Sequence, residues 1–207
     1  MAAAPAPAWT GALGLLERAV GYAQVSLYSV SSADLHRRTP CAGWDLAALL
    51  RHLSDSLTVL NEAAQLGQVS LSLDEGDDGR GASRAAADIV GRIRDQAGAL
   101  LGAWARQDGA DLIRVAGSPV TAAIVASTGA LEIAVHGWDV SQACDRPRPL
   151  PPLLAAELLD LVPVLVRTVD RPSRFGPPIS VPVSAPMSSR LLGVLGRAPE
   201  WRAGTFL

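Results

Sequence analysis

Along the first 29 residues the apolar positions Leu13, Leu15, Leu16, Val20, Val25 and Leu27 recur without the alternation of a strand. The pattern predicts a long helix from Ala8 to about Ser29. The stretch SSADLHRRTPCAGW then sets turn and breaker residues on both sides of Pro40. A second helix is predicted from Trp44 or Asp45 to about Gln65, because Leu46, Leu49, Leu50, Leu53, Leu57 and Leu60 have the three-and-four spacing of one helical face. SLSLDEGDDGRGAS is polar and glycine-rich, which predicts a mobile loop. Ser83 is placed to cap a third helix running to about Gln107, with Ile89, Ile93, Leu100 and Leu101 inward. Residues 108–120 form a connection with a short extended piece at DLIRVAG, and a fourth long helix is predicted from Pro119 to Ala143. RPRPLPP separates it from a fifth helix, Leu153 to about Val169, which Pro163 is expected to kink. The proline-rich RFGPPISVPVSAPM suits an extended surface segment, and SSRLLGVLGR a short amphipathic helix. There is no internal repeat. Four long helices with short connections predict an all-α four-helix bundle over residues 1–170, with an extension, 171–207, packed on it.

Composition narrows the chemistry. Half of the 207 residues are apolar, enough for a substantial core, and the formal charge of −2 gives no electrostatic reason to expect nucleic acid or an anionic membrane as partner. All 18 basic residues are arginine, so Schiff-base lysine chemistry and a phosphate-loop lysine are excluded. Heavy use of Ala, Gly, Pro and Arg with a single asparagine, Asn61, suggests a GC-rich, actinobacterial genome. Two cysteines, Cys41 and Cys144, do not make a disulfide framework. The N-terminus lacks the pattern of a signal peptide, and no apolar run is long enough to span a membrane. The expectation is a cytoplasmic, soluble protein, monomeric or homodimeric, acting on a small molecule.

The fourth helix breaks its own pattern. In TGALEIAVHGWDV, residues four apart lie ~40° apart around a helix, so Thr128, Glu132, His136 and Asp139 form one polar stripe among Leu131, Ile133, Val135 and Val140. Burying an ionised carboxylate without a partner costs roughly several kcal/mol. A cation held between Glu132 and His136 would offset that cost. On the second helix, His52 falls about 60° outside the leucine face, beside Ser56 and Asp45, a flank position suited to a groove between helices. Two histidines and a glutamate on facing helices leave a coordination position open, the catalytic pattern for zinc. Iron, nickel, cobalt and manganese suit the same donors.

TPCAGWDLAALLRHL, EIAVHGWDVSQA and FGPPISVPVSAP…RLLGVLGRAPEW together resemble the mycothiol-dependent maleylpyruvate isomerase superfamily, within the wider DinB-like fold. The likeness is to its short, single-domain metal-binding branch. The resemblance implies a helical bundle holding a divalent metal, usually zinc, on His52, Glu132 and His136. It also implies the thiol cofactor mycothiol, whose sulfur becomes a better nucleophile at the metal. One departure stands out: the characterised isomerase has a sizeable second domain that contributes an essential arginine, whereas here only a short tail follows the fifth helix. Arg171, Arg174 and Arg190 are the tail arginines expected to approach the site.

Other residues carry competing readings. Asp139 either orients a ligand histidine or pairs with an arginine, and Trp138, Ser56 and Thr128 are further pocket candidates. Trp44 is expected to pack at its helix start, Cys41 and Cys144 to be buried structural cysteines, and His36 to lie on the surface. DEGDDG lacks the terminal glutamate of a calcium loop, so a solvated loop is expected. Three functions remain in view. The first is a metal-dependent transferase or isomerase acting through a thiol. The second is a thiol-independent Lewis-acid hydrolase, cyclase or dehydratase of specialised metabolism. The third is a non-catalytic metal- or ligand-binding module, such as a sensor.

Overall fold

The computed structural model describes residues 7–69, 85–109, 112–171 and 175–203. Ser83 and the DEGDDG tract lie outside the described residues. Helix α1 spans Pro7–Leu27, α2 Leu46–Leu66, α3 Ala85–Ala105, α4 Ala122–Ala143, α5 Pro152–Leu165 and α6 Met187–Val194. The six leucines predicted to form the inner face of α2 are all buried, and Asp45 caps the helix by accepting from Ala48 N at 2.8 Å. Helix α1 packs chiefly on α4, while α2 packs on both α3 and α4, and α5 carries α6. The described chain is thus mostly helical, as its apolar periodicity predicts.

Helix α4 lies at the centre, with 18 of its 22 residues buried. Both α4 and its partner α1 carry buried small residues, among them Ala19, Ala23, Ala126, Ala130 and Ala134. Gly137 sits at the closest approach: a Cβ there would lie 2.9 Å from the Ala23 Cα. The backbone beside His136 is therefore fixed by helix packing.

Three features depart from the predicted elements. The extended piece at 111–117 is strand β2 (Leu112–Val115), and it belongs to a small sheet. It pairs antiparallel with β3 (Ser118–Thr121) and parallel with β1 (Gln68–Val69). Ala116 and Gly117, at φ 47° and 81°, form the two-residue turn of the hairpin, the primed geometry that matches strand twist. Pro119, predicted to open the fourth helix, instead sits in β3 at the sheet edge, where its missing N–H is tolerated. Helix α4 starts at Ala122 after the Thr121 cap. Helix α5 stops at Leu165, two residues past Pro163, and Thr168–Asp170 form a separate 3-10 turn rather than a kinked continuation to Val169.

The extension returns over the helices. Ile179 N donates to Gly193 O at 2.8 Å, joining the extended segment to α6. The turn after α6 is closed by Arg197 N donating to Leu192 O at 2.9 Å. Among the described residues, no helix is long and apolar enough to cross a membrane.

Candidate metal centre

Packing α2 on α4 brings His52, Glu132 and His136 together. His52 Nε2 lies 2.6 Å from Glu132 Oε1, and His136 Nε2 lies 3.1 Å from the same oxygen. One ligand atom from each residue lies within 4.8 Å of the other two. Among the described residues this is the one such group of histidine and carboxylate donors. Ser56 Oγ donates to Glu132 Oε1 at 3.4 Å, so a single carboxylate oxygen receives all three neighbours.

Exposure changes steeply across the group. The side chains are 38% exposed at His52, 29% at Glu132, 6% at His136 and 0% at Asp139, so the centre opens on the α2 side and is closed behind His136. At the closed side His136 Nδ1 lies 3.0 Å from Asp139 Oδ2, and Arg197 Nη2 donates to that same oxygen at 3.2 Å. Trp44 covers one flank: its ring centroid is 4.7 Å from that of His52 and 6.2 Å from that of His136. The loop before α2 fixes it there, since Thr39 donates to Trp44 O through both its backbone N (3.2 Å) and its Oγ1 (3.0 Å).

The electrostatics follow from this geometry. Burial would raise the Glu132 carboxyl, but the charge and hydrogen bond of His136, and then those of His52, hold it well below its usual range. Burial would lower His136, yet the Glu132 charge and the Asp139 hydrogen bond push it up to about 9. The His136 imidazolium faces Glu132 on one side and Asp139 on the other, and Arg197 adds a second positive charge at Asp139.

The donor set fits a divalent cation. Asp139 takes one nitrogen of His136 and leaves Nε2 directed at Glu132, the arrangement that sets a histidine's tautomer for metal binding. Imidazole and carboxylate donors suit zinc and its first-row neighbours.

The remaining predicted residues take other places. Thr128 is exposed and its Oγ1 donates to Ile124 O at 2.8 Å. Trp138 is buried, and its indole nitrogen lies 3.2 Å from the Gln142 side-chain amide, which also lies 3.0 Å from Trp201 O. His36 is exposed, as expected. Cys144 is buried and unbridged, with burial raising its thiol. Cys41 is only half-buried; burial pushes its thiol up to about 11, against the nearby charge of Arg197.

The tail arginine at the centre is not one of those predicted. Arg171 donates to Gly176 O and Val194 O within the extension, Arg190 donates to Met187 Sδ, and Arg174 lies outside the described residues. Arg197 reaches Asp139 instead. Asp139, read in the sequence as either orienting a ligand histidine or pairing with an arginine, contacts both His136 and Arg197, but nothing in the sequence singled out Arg197 as that arginine.

No curated protein and no solved structure matches the chain. Residues 23–141 match the family model described as the mycothiol maleylpyruvate isomerase N-terminal domain. That span is more than half of the chain and contains His52, Glu132 and His136 with all of α2 and all but the last two residues of α4. By its sequence the chain belongs to the mycothiol maleylpyruvate isomerase N-terminal domain family.

Proposed function

We propose that the protein is a divalent-metal-dependent enzyme that activates a thiol, mycothiol, for transfer to, or isomerisation of, a small electrophilic substrate. His52, Glu132 and His136 are its metal ligands and zinc its preferred metal. Helices α1–α4 are the four-helix bundle that frames them. The enzyme works in the cytoplasm of an actinobacterium, as a monomer or homodimer.

The observation that carries this reading is the one-sided exposure of the three donors: half-open at His52 and Glu132, closed at His136. A structural metal site is enclosed by protein donors, whereas a catalytic one keeps a side free for substrate. Family membership supports the thiol, since mycothiol is in the family's own description. A divalent cation bound here supplies a Lewis acid that favours the thiolate at neutral pH. The protein's own residues do the rest. Glu132 supplies negative charge, His52 and His136 supply neutral nitrogen donors, and the Trp44 ring shields the two imidazoles from water on one flank.

The test is metal analysis and turnover on the same samples. Purified wild type is expected to hold about one divalent metal per chain and to consume an electrophile faster when mycothiol is added. His52→Ala and His136→Ala are expected to lose both properties. Equal metal content in wild type and His136→Ala would falsify the ligand assignment. A rate unchanged by mycothiol would replace the thiol reading with Lewis-acid hydrolysis, cyclisation or dehydration.

A further inference from the structure

We propose that Arg197 is a positioning residue of this centre, acting on the ligand His136 through Asp139; the inference rests on the metal reading above. The three side chains form a chain of contacts. Arg197 Nη2 donates to Asp139 Oδ2 at 3.2 Å, that oxygen lies 3.0 Å from His136 Nδ1, and His136 Nε2 faces Glu132. All three are closed off from solvent, at 6%, 0% and 5% exposure.

The chemistry explains why both partners are needed. A carboxylate accepting from Nδ1–H fixes the tautomer that leaves the Nε2 lone pair for a cation. Asp139 performs that role only while its Oδ2 is held at Nδ1, and a carboxylate buried this completely needs a neighbouring cation to stay there. Arg197 supplies the counter-charge, and burial does not discharge it, because Asp139 raises its proton affinity.

The form of the pair also points away from a simple clasp. Strong arginine–carboxylate pairs are commonly bidentate. Here a single oxygen is shared, and among the described residues Asp139 Oδ1 and Arg197 Nε are buried without a hydrogen-bond partner. Arg197 is instead held by its own turn, with Nη1 on Leu195 O at 3.2 Å and N on Leu192 O. Its place thus depends on the extension, which lies outside the span matched by the family model.

The experiment is a zinc competition titration on Arg197→Gln, Asp139→Asn, the double variant and Arg197→Lys. Thermal unfolding of each metal-free protein checks the fold. Arg197→Gln and Asp139→Asn are each expected to weaken zinc binding about tenfold or more. The double variant should be no weaker than Asp139→Asn alone, within about twofold, because both act through one path. Arg197→Lys, which keeps the charge, should recover most of the affinity. In the zinc-loaded wild type, 15N NMR should show His136 protonated at Nδ1, with that signal lost or altered in Arg197→Gln. Wild-type affinity in Arg197→Gln with only a lower melting temperature overturns the inference, as do additive losses in the double variant. A wild type that binds no zinc overturns the metal reading itself, and this inference with it.

Discussion

The two histidines of the centre sit in opposite surroundings. His52, on α2, is half-exposed, packs against the Trp44 ring and contacts Glu132. His136, on α4, is buried, with one nitrogen on Glu132 and the other on Asp139. The open side leaves His52 and Glu132 accessible, while the closed side sets geometry through core packing. Gly137 places α1 directly against the backbone behind His136, so this histidine is fixed by the core as well as by hydrogen bonds.

Removing each histidine breaks the comparison most sharply. On the proposed reading both alanine variants should lose metal binding, but their metal-free forms should differ in stability. His136→Ala removes the buried group that Asp139 and Glu132 share, leaving Asp139 only Arg197 and Glu132 only His52 and Ser56, an expected cost of about 3 kcal/mol. His52→Ala removes a half-exposed side chain and should cost about 1 kcal/mol or less. Urea denaturation in the presence of a chelator measures the gap. Equal losses would mean that the closed side is no more rigid than the open one.

The same asymmetry sets a pH dependence. In the metal-free protein His136 is raised from its ordinary 6.5 to about 9, so the folded state binds this proton more tightly than the unfolded chain does. Its contribution to stability is therefore complete below 6.5 and is lost as pH rises through about 9. Glu132, held low, contributes above its ordinary carboxylate value of 4.5 and ceases to do so as pH falls through its lowered one. The two shifts describe largely one interaction from its two ends. The urea midpoint of metal-free wild type should fall between pH 6.5 and about 9, and His136→Ala should lack that fall. An identical slope in both proteins would assign the titration to another group.

The legibility of these features in the sequence follows from their physics. Glu132 and His136 stood out because a charge on a helix that is otherwise Ala, Leu, Ile and Val has a visible cost. His52 stood out because the leucine face of α2 is regular enough to locate its flank. The resemblance named the same three residues as ligands. The sheet was largely hidden: β1 has two residues, and an Ala-Gly turn lacks the usual Asn-Gly or Asp-Gly signal. Arg197 was hidden for a different reason. Its partner lies 58 positions away, across a proline-rich segment whose path no periodicity encodes. Trp44 was placed at the right helix start, but its position over both imidazoles depends on the Thr39 hydrogen bonds across the loop.

The smallest expected effect separates two hydroxyls that the sequence offered as pocket candidates. Ser56 was placed beside His52 on the second helix and Thr128 in the polar stripe of the fourth, and the structure gives them different partners. Ser56 Oγ donates to Glu132 Oε1 at 3.4 Å, the long limit of a hydrogen bond, whereas Thr128 Oγ1 bonds its own helix at Ile124 O. A neutral donor at that distance modestly stabilises the carboxylate and is worth about 0.5 kcal/mol, roughly a twofold change in affinity. Ser56→Ala should therefore weaken zinc binding about twofold, and Thr128→Ala should leave it unchanged, in parallel competition titrations. A larger effect of Thr128→Ala would mean that the open side of the centre extends one turn further along α4 than Glu132. The mouth would then have to be redrawn to include that turn.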